Sequence, residues 1–340
     1  MACLANRRDD MASKAATEEA TGILNRINLG YSGDRKEFYA IIALGAAAMW
    51  AITFFVSTLW IKVLYALYMY IAFGSAWNLL SGYTGYPTFG PMLFIGSGAY
   101  ATAFFNVHAG LSWAGALAAA VVVSAVLATV LGVIMLRISG IYFAIGTLLV
   151  AEAAREGVLM EDNLLGGSTG ITLTRLPTEQ VYILFAGIAL ASIIITYEVA
   201  TSRFGLRMLA IREDEEALRS LGVNPIKYKV PAFAAHGAIT ALAGGAFALS
   251  LGFIFPTTVF SIDITVTLIL VVILGGLGRV WGPVLGTLIL IPLQELFWLE
   301  FPALHIIAYG LFLVGVIVLM PEGIISRLRD LNILPQTRGL

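Results

Sequence analysis

The chain has 340 residues, of which 59% are hydrophobic and 12% charged, with a formal net charge of −1. A soluble domain carries about 25% charged residues, so a water-soluble globular fold is excluded; apolar runs near 20 residues read instead as a polytopic helical membrane protein. Cys3 is the single cysteine, His108, His236 and His305 stand far apart in sequence, and no GxxxxGK phosphate loop occurs, which excludes an intrachain disulfide, a cysteine metal cluster and an ATP site of that kind. No metal ligand set is expected, and no nucleic-acid partner.

Residues 1–37 are polar and of mixed charge, too long and too charged for a signal peptide. They read as a cytoplasmic tail in which residues 16–27 form a short surface helix. Apolar segments follow at about 38–60, 62–80, 91–107, 111–136, 141–158, 180–200, 231–254, 263–276, 283–298 and 303–320. The expectation is an all-α polytopic membrane helical bundle over 38–320 with about ten membrane helices, eight to ten if the shorter segments do not cross, and a second cytoplasmic tail over 321–340. With ten spans and the N-terminus inside, 17 of the 20 Lys and Arg residues fall on the cytoplasmic side. Both termini are therefore expected in the cytoplasm. Arg155 and Arg175 flank the longest outer loop, about 159–179, a candidate docking surface.

Two glycine-rich joints interrupt the apolar pattern. The first, Ser81 to Pro91, is uncharged, aromatic and rich in Gly and Pro. Such a segment cannot remain regular helix, and irregular backbone at membrane depth is tolerated where it is buried in protein or lines a wet cavity. Tyr83, Tyr86, Thr88 and Phe89 are its candidates to line a translocation pathway; a tight interhelical turn is the plainer alternative. The second joint runs from Gly275 to Gly286. Its Gly278, Gly282 and Gly286 have the i, i+4, i+8 spacing of one helix face, as do Gly237, Ala241 and Gly245, and small residues at that spacing point to close helix packing. Polar groups inside the spans are few. Asn78 and Glu152 join the pathway candidates, since polar and ionisable groups at membrane depth are costly; Asp263, Gln294 and Glu295 lie closer to span ends.

One long charged segment separates two apolar ones, Ser202 to Val230, with six basic and four consecutive acidic residues. The acids Glu213, Asp214, Glu215 and Glu216 suit the first turn of a helix, where the macrodipole favours negative charge. Gly222 suits its C′ position and Pro225 ends it. Leu206, Met208 and Ile211 are expected to bury against the membrane domain, and Leu218 with Leu221 to form a narrow apolar stripe. The segment reads either as a solvated, salt-bridged loop or as the place where a membrane protein meets a partner in water.

At these residues the chain resembles the branched-chain amino acid ABC permeases of the LivM type. The likeness is carried by Asn78 to Gly85 (NLLSGYTG), Gly90, Ile95 to Tyr100 (IGSGAY), Ser139 to Ile145 (SGIYFAI), Gly166 to Ile171 (GGSTGI), Phe204-Gly205, Ala210 to Glu216 (AIREDEE), Ala217 to Val223, Gly275 to Gly278 and Trp281 to Gly286 (WGPVLG). These motifs run in order over about residues 65–298. The resemblance implies the permease subunit of an importer in a prokaryotic inner membrane, itself without an ATPase site. It also implies a second, LivH-like permease, two ABC ATPase subunits that hold the ATP and magnesium, and an extracytoplasmic substrate-binding protein. Glu216-Ala-Leu-x-x-x-Gly222 resembles the EAA-type loop that seats in an ATPase groove. By this likeness Arg212, Glu213, Asp214, Glu215, Glu216, Ala217, Arg219 and Gly222 are the coupling residues. Tyr86, Pro87 and Thr88 replace a Gln and Ser pattern common in the family. That leaves urea, short amides and other amino acids open as substrates beside the branched-chain ones. A carrier driven by an ion gradient is the alternative from another class, and the sparse buried carboxylates count against it.

Overall fold

The computed structural model describes residues 35, 36, 38–47, 49, 58–300 and 310. It divides into two units, 1–55 and 56–340. In the first, the described residues include a short apolar helix, α1 (Phe38–Ala47). The helix expected over 16–27, the span expected over 303–320 and the tail 321–340 lie outside the described residues.

The described part of the second unit is almost entirely helical. In order it contains α2 (Thr58–Trp77), α3 (Pro91–Val107), α4 (Trp113–Met135), α5 (Ile141–Leu159), the one-turn α6 (Asp162–Leu165), β1 (Ile171–Thr172), α7 (Thr178–Thr201), α8 (Arg203–Glu213), α9 (Glu215–Ser220), α10 (Ile226–Leu251), β2 (Phe253–Ile254), α11 (Pro256–Val259), α12 (Ile262–Gly275) and α13 (Gly282–Glu300). Among the described residues five helices are long and apolar enough to cross a bilayer: Trp60–Gly82, Trp113–Met135, Thr178–Thr201, Ile226–Leu251 and Pro256–Gly275. The helix ends follow local chemistry. Ser112 caps α4 by accepting from the Gly115 amide at 3.3 Å, and Pro91 opens α3 where its missing N–H costs nothing. α2 runs into a wholly buried π-helical turn, Asn78–Gly82, that begins the first glycine joint.

α10 is the central element, packed against α2, α3, α4 and α7. It achieves this with small residues. A methyl group on Gly98 of α3 would collide with the Ala241 carbonyl, and one on Gly244 with the Ile95 carbonyl. Gly237 meets Ala128 and Phe94, and Gly245 meets Thr102 and Leu117. Where lipid tails are as apolar as the side chains, such backbone approach supplies the van der Waals contact that drives association. Gly282 and Gly286 press likewise on Gly276 and Val271. Gly278 does not share their helix face: φ of +125° at Gly276 and +72° at Gly278 ends α12, and α13 starts only at Gly282.

The 159–179 segment is tied down at the end of α10 opposite the charged loop. β1 pairs antiparallel with β2, Ile171 opposite Ile254. The Leu173 and Leu176 amides donate to the carbonyls of Gly252 and Leu249, each at 3.0 Å. Thr174 donates to Asn106 Oδ1 through its amide (3.1 Å) and its hydroxyl (2.9 Å).

Replacing Gly98 by leucine should push α3 off α10. Overpacking of this kind costs about 1–3 kcal/mol, so a melting curve of the detergent-solubilised protein should shift to lower temperature, whereas Gly187→Leu, at a position with open space around it, should leave it unchanged.

Candidate functional site

The charged segment is two short helices, not one. Ser202 caps α8 by accepting from the Gly205 amide at 3.2 Å, and Met208 and Ile211 are buried while Leu206 stays exposed. At Asp214 the backbone becomes extended (φ −157°, ψ 101°), and its side chain accepts from the Ala217 amide at 2.9 Å. Asp214 is therefore the N-cap of α9, so only Glu215 and Glu216 fall in its first turn. Gly222, at φ +80°, ends α9. Its amide donates to the Arg219 carbonyl (2.9 Å) and that of Val223 to the Leu218 carbonyl (3.3 Å), the pair of bonds that defines a Schellman stop.

This construction turns Glu215 inward and leaves Glu213, Glu216 and Arg219 outward. Glu215 gathers three donors. Lys229 Nζ reaches its two oxygens at 2.9 and 3.2 Å, Arg219 reaches Oε1 at 2.6 Å, and the Tyr86 hydroxyl donates to Oε2. The Lys229 side chain is 0% exposed; it also donates to the Leu136 carbonyl at 3.2 Å and lies 4.1 Å from the centre of the Tyr86 ring. Tyr86 packs edge-on against Phe143, and Phe143 against Phe233. Four parts of the chain thus meet at the Glu215–Lys229 pair: α9, the first joint, the end of α4 and the start of α10. Burial raises the Glu215 carboxyl, but the hydrogen bonds from Tyr86 and Lys229, the Lys229 charge and the Arg219 bond outweigh it and hold the group below its ordinary value.

A second contact joins α8 to both glycine joints. Arg212 Nη1 donates to the Gly82 carbonyl at 2.8 Å. Asn78 spans the joints, its Nδ2 donating to the Arg279 carbonyl and its Oδ1 accepting from the Gly278 amide, each at 2.8 Å. Gly278 is glycine for two reasons, its positive φ and its position, since a methyl there would lie 2.6 Å from Arg212 Nη1. The first joint is itself bonded throughout: Trp77 Nε1 donates to the Thr88 carbonyl (2.8 Å), the Thr88 amide to Ser81 Oγ (3.3 Å) and the Phe89 amide to Thr147 Oγ1 (3.1 Å).

Of the residues singled out as pathway candidates, Asn78, Tyr83 and Thr88 are fully buried and Tyr86 nearly so; Phe89 and Glu152 keep exposed surface. Glu152 stands apart from the joints on α5, paired with Arg155 at 3.0 Å. The sequence reading did not single out Lys229 or the carbonyl of Leu136. Lys229 had a usable signal, a cation at the threshold of an apolar span, where burial demands a partner; a backbone carbonyl has none. Leu221, expected in the apolar stripe, is 79% exposed at the tip of the loop.

A mostly helical chain with bilayer-length apolar helices and a charged loop tied to two glycine-rich breaks is a polytopic membrane protein. The family described as branched-chain amino acid transport system, permease component, matches residues 59–320, and the chain belongs to it. The high-affinity branched-chain amino acid transport permease protein LivM of Salmonella typhimurium is 27% identical over 87% of this chain and 76% of its own length, and that of Escherichia coli 26% over the same shares. A protein described as a probable LivM from Methanocaldococcus jannaschii is 27% identical over 62% of the chain and 73% of its own length. No solved structure matches.

The inward turn of Glu215 is pH-dependent in a definite direction. Its folded pKa is lowered, so its contribution is complete above the ordinary value of 4.5 and lost as pH falls through the folded value. Hydrogen exchange of the α9 amides, corrected for intrinsic rate, should rise below that point in the wild type. In Glu215→Gln the rise should be smaller.

Proposed function

We propose that this chain is the membrane-spanning permease subunit of an ABC importer for branched-chain or related amino acids in a prokaryotic inner membrane. The observation that carries the reading is the two-faced charged loop, in a chain of this family. One face, through Glu215 and Arg212, is bonded to the membrane joints; the other presents Glu213, Glu216, Ala217, Arg219 and the bare Leu221 to water. An outward apolar side chain at the tip of a charged helix fits a groove on a soluble partner. In this reading two ATPase subunits bind ATP and magnesium and seat the two permeases' loops, a LivH-like permease completes the pathway, and an extracytoplasmic binding protein delivers the solute. Ten spans with both termini in the cytoplasm accord with the placing of 17 of 20 basic residues on that side.

Closure of the ATPase pair would move α8 and α9 as a rigid body. Because Glu215 holds Tyr86 and Arg212 holds Gly82, that movement would pull on the first joint, and Asn78 would carry it to the second. Tyr86 then acts in coupling. Its departure from the family's Gln and Ser pattern bears on how force is passed more than on which solute is carried, which favours the branched-chain class over urea and amides.

Purification of the tagged chain in mild detergent should bring down two ATPase subunits and a second permease. Its recovery alone, with uptake driven by an ion gradient in ATP-free vesicles, would refute the reading. Glu216→Lys should lower ATP-driven uptake by about tenfold, within the usual range of a coupling free energy, while the spans stay folded. Tyr86→Phe removes a single hydrogen bond to Glu215. It should keep the ATPase subunits bound yet raise the ATP hydrolysed per solute carried.

A further inference from the structure

α10 is fastened at both ends through carbonyls that helices leave unpaired, since the last carbonyls of a helix have no intrahelical partner. At its C-terminal end the Leu249 carbonyl accepts from the Leu176 amide and the Gly252 carbonyl from the Leu173 amide. The β1–β2 pairing continues the attachment. Ile171, Leu173, Leu176 and Ile254 are buried there, and a methyl on Gly170 would lie 2.6 Å from the Ile254 carbonyl. Thr174 is bonded instead to Asn106, in the last turn of α3. Residues 171–176 are thus tied to the ends of α3 and α10 together.

The other end of α10 carries a weakness and its remedy. Pro231, in the second turn, has no N–H for the Lys227 carbonyl, so one bond is missing between the first turn and the rest of the helix. Lys229 stands on the first-turn side of that gap. Its ammonium is bonded to the Leu136 carbonyl at the end of α4. α4 in turn packs on α10 beyond the proline: a methyl on Gly132 would touch Phe233 at 3.2 Å, and Gly237 and Gly245 make room for Ala128 and Leu117. The Lys229 bond therefore ties the first turn to the same helix on which the rest of α10 lies. Gly98 and Gly244 lock α3 to α10 backbone against backbone.

We propose that α3, α4, α10 and residues 171–176 move as one rigid body, and that Lys229 is the positioning residue that fixes the charged loop to it. The inference rests on the transport reading; it adds which helices the loop drives and which distant segment moves with them. Lys229 and Leu249 are separated by about 30 Å of helix, so a displacement of α9 reaches the far end of α10 without any bond being remade on the way. Lys229 takes up that displacement through the buried Glu215 pair. The loop's other bond to α10, from Arg207 to the Tyr228 hydroxyl at 2.7 Å, is exposed, and a bond in water is weaker than one inside the protein. α2 stands outside the body. It reaches α3 only across the first glycine joint, where the α-helical pattern breaks, and it meets α10 through side chains such as Leu79 and Ile239. Packed helices can slide on contacts of that kind, so the relative motion falls at the joint.

The test uses the assembled transporter in lipid nanodiscs, with paired spin labels in a Cys3→Ser background. Distances are read by double electron–electron resonance, without nucleotide and after trapping with ATP and vanadate. One pair replaces Thr172 and Ser220, exposed residues at opposite ends of the body; the other replaces Thr172 and Trp60, exposed on α2. The 172–220 distance should stay constant on trapping, while the 172–60 distance changes by several ångströms. A 172–220 distance that changes, or a 172–60 distance that does not, overturns the proposal. Glu215→Gln combined with Lys229→Met removes both charges, so that neither is left stranded. In that variant the 172–220 distance should become nucleotide-dependent and the ATP hydrolysed per solute should rise several-fold, with the melting temperature kept. An unchanged distance and stoichiometry, or a variant that fails to fold, would make Lys229 a structural residue and overturn its assignment. A wild-type chain that recruits no ATPase subunits and traps no vanadate would refute the importer reading instead.

Discussion

An ammonium group buried at the threshold of a membrane has to meet a negative partner, and Lys229 meets Glu215. Much of the charged loop's arrangement follows from that requirement. The pair is asymmetric: the lysine side chain is wholly buried and the carboxylate 16% exposed. Removing Glu215 would leave the lysine charge uncompensated, which costs about 3–5 kcal/mol in buried pairs, though replacing both groups by well-packed apolar ones can be neutral. Such a pair is therefore better suited to specifying where a helix sits than to stabilising the whole fold. Here it specifies the face of α9 that turns to the membrane, and with it the face left for water.

That division of labour links the loop to the bundle. α9 has only six residues, and a helix so short has little stability of its own. It is held by Asp214 at one end, the Gly222 stop at the other, and the Glu215 bonds along its inner side. α8 adds the Arg212 bond to Gly82, on a joint whose backbone has left the α-helical pattern. The two joints, about two hundred residues apart in sequence, are bridged by one amide side chain, Asn78. A rigid loop joined to two irregular segments is an arrangement through which a push from outside the membrane can reach its interior.

The bundle itself obeys a different constraint. Between α3 and α10 the contact is backbone on backbone, through Gly98, Gly244 and Ala241, so these helices cannot separate slightly and remain packed. Movement in such a core occurs as displacement of whole elements.

The helical membrane class, the charged loop, both glycine joints and the stop at Gly222 were legible in the sequence, because each is a local property: apolar run length, charge segregation, or a residue type that breaks helices. The motif order from Asn78 to Gly286 was enough to point to the family. The break at Asp214, the inward turn of Glu215 and its partner Lys229, and the Asn78 bridge were not legible, since they depend on which segments lie side by side. The same holds for Gly278, whose helical spacing suggested a packing face until the chain's turn at that point gave it another task. The sequence by itself determined that charge interrupts the apolar run of α5 and that a charged loop lies between apolar runs. Only the tertiary structure decided which of those charges find protein partners and which face outward, because the pairing of a buried charge is settled by distance in space, and local sequence pattern does not encode that distance.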